Sequence, residues 1–328
     1  MKCLIRCDSS NIIGTGHLIR CMNYCEYYPN YDITFVCRNF KYNISHKVVS
    51  KYKLILLDYN IEPVLDNYDT WIGKEYNDEQ LDILDILKND KYDIFIIDHY
   101  GIDHILENKA KEYCHKIIVI TDLFHKIHYC DIFINYNKIN NNENINMVKN
   151  ILTSEHTEIR LGIENIIINP LFLNHHKSIY NDKINKIVIN MGGADPNNFI
   201  LQILMICKNF ILTNNITIDI IIGYSNINME SIRQFIDNCN KENKENLFHI
   251  HYNISFETII NLHLEADIAI GSLSITAYER LFLKIPQITI KIVENQTIDE
   301  LDVFNVCKIN NVIEKLVNYN LLLKSLIL

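Results

Sequence analysis

The chain has 328 residues, 48% of them hydrophobic, and a formal net charge of −9, a length that suits two domains with separate hydrophobic cores. The acidic balance argues against a nucleic-acid surface, because phosphate contacts need clustered Lys and Arg. The ten cysteines form no Cys-x-x-Cys pair, and we find no signal peptide or membrane-length apolar run, so we expect a cytosolic protein with reduced thiols and no zinc site.

A first series of short apolar runs predicts the strands of a parallel sheet. The runs are β-branched and continuous, which is typical of strands buried on both faces. They lie at residues 2–7, 33–37, 54–57, 94–97, 117–120 and 132–135. We therefore expect an α/β domain over residues 1–165, with the Asn-rich stretch 137–146 as a surface loop.

The first predicted strand is followed by a glycine loop, Gly14-Thr15-Gly16-His17. Glycines let backbone N–H groups approach a phosphate or sugar closely, and a helix beginning near His17 would direct its positive end at the ligand. His17 is therefore a candidate base. A plain tight turn is the alternative, whereas Ile19 stands where a dinucleotide fingerprint would have its third glycine.

Polar residues also follow the fourth predicted strand, at Asp98, His99, Tyr100 and Gly101. Open α/β sheets bind ligands at the carboxyl ends of their strands, so these residues are candidates for a site. A turn that only ends the strand remains possible, because Asp and Gly are ordinary turn residues.

A second series of apolar runs predicts another parallel α/β domain, over residues 186–328, with a helical segment at its end. The runs lie at residues 186–190, 216–222, 248–251, 267–270 and 287–293. Residues 166–185 contain Pro170 and show little periodicity, so we interpret them as a linker. The ligand site is expected in a cleft between the two domains.

The first strand of this second domain leads into Gly192 and Gly193, and then into Asp195 and Pro196. Asp195 as N-cap and Pro196 at the first helical position predict a helix start. That helix end could hold a diphosphate. Capping alone would explain Asp195 and Pro196, but it would not explain the paired glycines.

A third loop, Gly271 to Ser274, leads into Thr276 and Glu279. The spacing of Thr276 and Glu279 is that of a capping box, which would give both residues a structural role. A carboxylate at this position is also suited to accept two hydrogen bonds from a ribose diol.

Taken together, these segments resemble the UDP-sugar hydrolases of pseudaminic acid synthesis, over residues 2–300. The resemblance is carried by Arg6-x-Asp8, Gly14-x-Gly16-His17-x-x-Arg20, Trp71 to Asp82, Asp98-His99-Tyr100-Gly101, Cys130-Asp131 to Asn135, Gly192-Gly193-x-Asp195-Pro196, Thr276-x-x-Glu279-Arg280, Pro286 and Asn295-Gln296. The chain departs from the family pattern at Leu273-Ser274, in place of a glycine pair, and at Asn169, in place of an arginine.

The resemblance implies two Rossmann-like domains whose parallel sheets face a cleft, the GT-B architecture. It also implies inverting hydrolysis of a UDP-linked diacetamido-trideoxy sugar, without metal or cofactor, with His17 as general base. One base suffices because UDP leaves readily, and a helix N-terminus favours the neutral imidazole.

The resemblance further implies that the sugar lies against the first domain and UDP against the second. The implied substrate-binding residues are Arg6, Asp8, Gly14, Gly16, Arg20, Asp98, His99, Tyr100, Gly192, Gly193, Asp195, Ser274, Thr276, Glu279, Asn295 and Gln296.

Two other functions remain open at this level. The first is a GT-B glycosyltransferase that passes the sugar to a hydroxyl acceptor, and the second is a UDP-sugar-binding homologue without catalysis. The expected partner is a small molecule only, without nucleic acid or a membrane span, and we expect a monomer.

Overall fold

The computed structural model describes residues 1–137, 140–193, 195–224, 226–242, 246–291 and 305–325. The chain divides into two compact units, Met1–Ile167 and Ile168–Leu328. Each unit is built around one parallel sheet with helices packed on it. No helix of the described ranges is both long enough and apolar enough to cross a membrane.

The described strands of the first unit form a sheet of seven, in the order β3-β2-β1-β4-β5-β6-β7. The strands are β1 (Lys2–Arg6), β2 (Asp32–Arg38), β3 (Lys53–Leu57), β4 (Tyr92–Ile97), β5 (Cys114–Ile120), β6 (Ile132–Asn135) and β7 (Glu158–Leu161). The helices are α1 (Gly16–Glu26), α2 (Ser45–Val48), α3 (Tyr76–Asp90), α4 (His104–Ala110) and α5 (Asn142–Lys149). Short 3-10 turns cover Tyr68–Ile72 and Ile163–Asn165.

Both faces of this sheet carry a hydrophobic core, which explains the continuous apolar runs. Successive side chains of a strand point to opposite faces. Along β1, Leu4 packs into one core with residues of α3 and α4, whereas Cys3 and Ile5 pack into the other core with residues of α1.

The described strands of the second unit form a sheet of six, in the order β10-β9-β8-β11-β12-β13. The strands are β8 (Lys186–Asn190), β9 (Thr217–Ile222), β10 (Phe248–Tyr252), β11 (Ile268–Ser272), β12 (Gln287–Ile290) and β13 (Val306–Cys307). The helices are α6 (Pro170–Leu173), α7 (Phe199–Asn214), α8 (Met229–Glu242), α9 (Phe256–Glu265), α10 (Ile275–Phe282) and α11 (Val312–Ser325).

The predicted α/β class is confirmed, and every predicted apolar run contains a strand. Two strands were not predicted. β7 reads Glu-Ile-Arg-Leu at a sheet edge, and β13 has only two residues, so neither carries a continuous apolar run. The surface-loop prediction for 137–146 is wrong in part, because α5 begins at Asn142, where the side chain of Asn141 accepts a hydrogen bond from Asn144 N as the N-cap.

Residues 168–185, predicted as linker, belong to the second unit. Lys177 N donates to Leu283 O at 2.8 Å, and Lys177 Nζ donates to Leu264 O at 2.8 Å. Asn169 caps α6 by accepting a hydrogen bond from Leu171 N. These contacts attach the segment to α9 and α10.

Candidate functional site

The growth of the first sheet reverses direction between β1 and β4, which are neighbours in space but not in the chain. The loops after two such strands diverge and leave a crevice at the carboxyl edge of the sheet. The loop after β1 leads to His17 in the first turn of α1, and the loop after β4 begins with Asp98. Gly14 has φ +79° in the first loop, a conformation that glycine adopts without strain.

His17 and Asp98 form a direct pair at this crevice. The distance from His17 Nδ1 to Asp98 Oδ1 is 2.6 Å, and the Asp98 side chain is fully buried. Burial alone would raise the pKa of Asp98, but the charges of Arg20 and His17 hold it well below its usual range. The ionised carboxylate can only accept, so Nδ1 of His17 donates to it and Nε2 keeps a lone pair.

Arg20 lies one turn after His17 on α1 and binds the carboxylate of Asp98. Its Nε and Nη2 each donate to an oxygen of Asp98 at 2.7 Å, which is the bidentate geometry of a strong pair. Its Nη1 donates to Asp122 and to the Tyr136 hydroxyl. Burial lowers the pKa of Arg20, but Asp122 and Asp98 outweigh it and raise the pKa well above the usual value.

Aromatic rings pack around the imidazole of His17. The Tyr100 ring stands perpendicular to it with the centroids 4.6 Å apart, and the Trp71 ring lies at 6.1 Å. Tyr68 packs edge-on against both of these rings. This packing restricts the orientation of the His17 ring, which is buried.

Three of the predicted substrate-binding residues, Arg6, Asp8 and His99, are paired inside the unit. Arg6 Nη1 lies 2.7 Å from Asp8 Oδ2, and both side chains are fully buried. His99 Nε2 lies 3.1 Å from the same carboxylate, while His99 Nδ1 accepts from Gly101 N at 3.0 Å. Burial lowers the pKa of His99. The neutral ring therefore has both nitrogens engaged, and these three residues form a buried cluster at the ends of β1 and β4.

The second sheet has the same kind of reversal, between β8 and β11. Gly192 and Gly193 follow β8, and Gly192 N donates to Asn190 Oδ1 at 2.9 Å. A Cβ on Gly223, at the end of β9, would lie 2.5 Å from the Gly193 backbone, so the two loops are in close contact. This leaves a glycine-lined edge at the crevice of the second unit.

The N-terminal end of α7 differs from the sequence prediction. The helix begins at Phe199 instead of Pro196, with Asn198 as N-cap. Asp195 does cap it, since its carboxylate accepts from Phe199 N at 2.8 Å and from Ile200 N at 3.0 Å. Because these two N–H groups already have a partner, they are not free to bind a diphosphate at this end of α7.

The predicted capping box of Thr276 and Glu279 is not formed. Ser274 is the N-cap of α10, so Thr276 lies inside the first turn. The hydroxyls of Ser272, Ser274 and Thr276 form a chain with O–O distances of 2.8 and 3.0 Å. This places a row of hydroxyl groups directly after β11.

Glu279 is buried, and within the described ranges no hydrogen bond or ion pair reaches its carboxylate. Burial raises its pKa from 4.5 to about 7, against the opposing charge of Arg280. An unpaired buried carboxylate is costly, and such groups are concentrated at functional sites. Asn295 and Gln296 lie outside the residues that the structure describes. Within the described ranges, no three His, Cys, Asp or Glu side chains are grouped so that they could hold a metal ion.

We expect the Glu279→Gln variant to be more stable than the wild type above pH 7. The folded pKa is raised, so the contribution of Glu279 to stability is present below pH 4.5 and is lost as the pH rises through about 7. This pKa shift corresponds to about 3 kcal/mol in the free energy of unfolding at pH 8. Hydrogen exchange of β8 and β11 amides at pH 5 and pH 8 measures it, and Trp71 fluorescence serves as the control for the first unit. Equal pH dependence in both proteins would contradict the expectation.

Sequence reasoning missed Trp71 as a neighbour of His17, apart from its place in the resemblance, and it missed Asp122 and Tyr68, which contact the residues around His17. A signal existed for Asp122, since it follows β5 as Asp98 follows β4. For the two aromatic residues no local signal existed, because the 3-10 turn that carries them has no distinctive pattern.

Known proteins resemble this chain in sequence and in fold. No family model matches the chain. It is 30% identical over 301 residues to the UDP-2,4-diacetamido-2,4,6-trideoxy-beta-L-altropyranose hydrolase of Campylobacter jejuni, which covers 90% of this chain and 93% of that protein.

Solved structures of GT-B enzymes share the fold. Glycyrrhiza uralensis UGT73P12 matches with a TM-score of 0.57 at 10% identity, over 99% of this chain and 89% of its own. Acinetobacter baumannii MurG matches with a TM-score of 0.54 at 9% identity, over 99% and 95%. A UDP-N-acetylglucosamine 2-epimerase from Listeria monocytogenes matches with a TM-score of 0.54 at 10% identity, over 99% and 88%. The predicted GT-B fold class is thereby confirmed.

Proposed function

Because the chain belongs to the family of UDP-2,4-diacetamido-2,4,6-trideoxy-beta-L-altropyranose hydrolases, we propose that it hydrolyses a UDP-linked diacetamido-trideoxy sugar to the free sugar and UDP. The observation that carries this proposal is the pair of His17 and the buried Asp98 at the carboxyl edge of the first sheet. It leaves Nε2 of His17 as a base with a fixed orientation.

The proposed step is a single displacement at the anomeric carbon. Water attacks from the face opposite UDP and gives a proton to His17 Nε2, while the bond from the anomeric carbon to the phosphate oxygen breaks and its electron pair leaves with UDP. The sugar configuration is inverted. Asp98 stabilises the imidazolium that forms, as the carboxylate of a catalytic triad does, and the proton then passes to solvent.

UDP is proposed to bind the second unit. The loop of Gly192 and Gly193 has no side chain that would keep a diphosphate at a distance, and the hydroxyls of Ser274 and Thr276 offer donors to it. Glu279 is proposed to accept hydrogen bonds from the ribose diol, which would give its buried carboxylate the partners that it lacks among the described residues.

Replacing Glu279 with Ala should weaken UDP binding by about 1–3 kcal/mol, because charged hydrogen bonds to ribose are lost. The ratio of wild-type to Glu279→Gln affinity should rise from pH 6 to pH 8 as the carboxyl ionises, and taking this ratio cancels the titration of UDP itself. Calorimetry measures both quantities. Glu257→Ala, an exposed change on α9, is the control. Unchanged UDP affinity in a folded Glu279→Ala protein would remove Glu279 from the site.

The function is tested by incubating the protein with UDP-sugars in ¹⁸O-water and measuring UDP release. A hydrolase places one ¹⁸O at the anomeric carbon, and NMR of the first product gives its configuration. UDP release that depends on an added hydroxyl acceptor would instead identify a glycosyltransferase. UDP-sugar binding without any release would identify a non-catalytic homologue.

A further inference from the structure

Asp122 is the second residue of the loop that follows β5, which ends at Ile120. Because β5 is the neighbour of β4 in the sheet, this loop lies next to the loop that carries Asp98. The side chain of Asp122 is about one-fifth exposed, unlike the fully buried Asp98. It is therefore partly accessible to solvent while it contacts Arg20 and Tyr100, two residues beside His17.

Four hydrogen bonds converge on the Asp122 carboxylate. Arg20 Nη1 donates to its two oxygens at 3.0 and 2.9 Å. The Tyr100 hydroxyl donates to Oδ2 at 2.8 Å, and Asn137 Nδ2 donates to Oδ1 at 2.9 Å. The donors come from α1 and from the loops after β4 and β6, so the carboxylate joins three segments of the first unit.

Two of these donors are the groups that hold the imidazole of His17. Arg20 acts through Asp98, which it binds in bidentate fashion. Tyr100 acts through its ring, which stands against the imidazole at 4.6 Å. Asp122 thus fixes both the hydrogen-bonded side and the ring-packed side of His17.

We propose that Asp122 is a positioning residue for His17, acting through Arg20 and Tyr100. The proposal rests on the function proposed above, since positioning matters for turnover only if His17 is the base. It also makes a claim about His17 alone, because Arg20 and Tyr100 link Asp122 to the surroundings of the ring whether or not substrate is present.

The charges at this site give the direction of that effect. The groups facing His17 are Asp98, Arg20 and Tyr100, while Cys21 Sγ contacts Asp98 at 3.6 Å and Tyr136 contacts Arg20. Burial and the charge of Asp122 raise the pKa of Tyr100 well above its usual value, so its hydroxyl stays a neutral donor.

Arg20 and Asp98 alone would cancel, so Asp122 gives the cluster a net negative charge. That charge favours the imidazolium formed in the reaction, and its removal should move the titration of His17 to lower pH.

The test compares Asp122→Asn with the wild type. We expect kcat to fall about 10–100-fold with KM nearly unchanged, which is typical when an outer support of a catalytic group is lost. The acid limb of the pH–rate profile should move down by about half a pH unit or more. The ¹⁵N NMR titration of His17 without substrate should move in the same direction.

The matched control is Asp90→Asn. Asp90 also accepts from a tyrosine hydroxyl and from cationic side chains, Lys2 and Lys53, but it lies before β4 at the opposite edge of the sheet. This variant should keep the wild-type kcat and His17 titration. If Asp122→Asn does not fold, Asp122→Ser is measured in its place.

Separate outcomes overturn the two proposals. An unchanged His17 titration and an unchanged kcat in the folded Asp122 variant would show that Asp122 has no positioning role. A wild-type protein that releases no UDP from any UDP-sugar would reject the hydrolase function, while the NMR titration would still decide the role of Asp122.

Discussion

Replacing His17 with Asn should lower kcat by about 10²–10⁴-fold while substrate binding changes little. Asn keeps part of the size and hydrogen bonding of the imidazole but has no basic nitrogen, so only proton transfer from water is lost. Steady-state kinetics of UDP release measures kcat, and calorimetry measures substrate affinity. His115→Asn, an exposed change at the start of β5, is the control and should keep the wild-type rate.

Near-normal hydrolysis by His17→Asn would reject the base assignment. The base would then have to be another ionisable group near the crevice. Asp8 and His99 are poor substitutes, because Asp8 is fully buried against Arg6 and both ring nitrogens of His99 are engaged. A second base would have to come from a residue not yet assigned to the site.

Replacing Asp98 with Asn should lower kcat by a similar factor, about 10²–10⁴-fold. The amide has the size of the carboxylate, but its NH₂ can donate to His17 Nδ1, which then places the ring proton on Nε2 and removes the lone pair that accepts from water. Loss of the negative charge also removes the stabilisation of the imidazolium. ¹⁵N NMR of His17 gives the tautomer directly, alongside kcat.

The Asp98 variant also leaves the buried Arg20 with one carboxylate fewer, so its fold is checked by circular dichroism before kinetics. A folded Asp98→Asn protein with the wild-type tautomer and rate would show that the pair has no catalytic role. A changed tautomer with a normal rate would show that Asp98 sets the tautomer of His17 but that catalysis does not depend on it.

The sequence predicted the fold class through local patterns and failed where the pattern was short or polar. Runs such as 94–97 are apolar at every position because both faces of the strand are buried. β7 lies at a sheet edge and is partly exposed, so its residues need not be apolar, and periodicity could not reveal it. The start of α5 depends on one asparagine cap inside an Asn-rich stretch, where any of several asparagines could serve.

The candidate site also has a part that local sequence patterns predict and a part that they do not. The glycine loop and the strand ends are local, so His17 and Asp98 could each be proposed from the sequence. Their contact joins residues 81 positions apart, and the pair of Arg6 and Glu79 joins residues 73 apart. Such contacts depend on the order of strands in the sheet, which the sequence does not state. The sequence alone therefore could not show that Arg6 and Asp8 pair with each other, and their role as ligand contacts stays a prediction.

The carboxylate of Glu279, which has no hydrogen-bond partner among the described residues, would link the folding of the second unit to nucleotide supply if UDP binds there as proposed. A ligand that binds only the folded chain adds stability by mass action, about 2.7 kcal/mol at a concentration one hundred times its dissociation constant. If UDP gives Glu279 its missing partners, occupancy offsets a cost that the empty unit carries at neutral pH. The product of the reaction would then protect the enzyme that releases it, and the lifetime of the protein would follow the size of the uridine nucleotide pool.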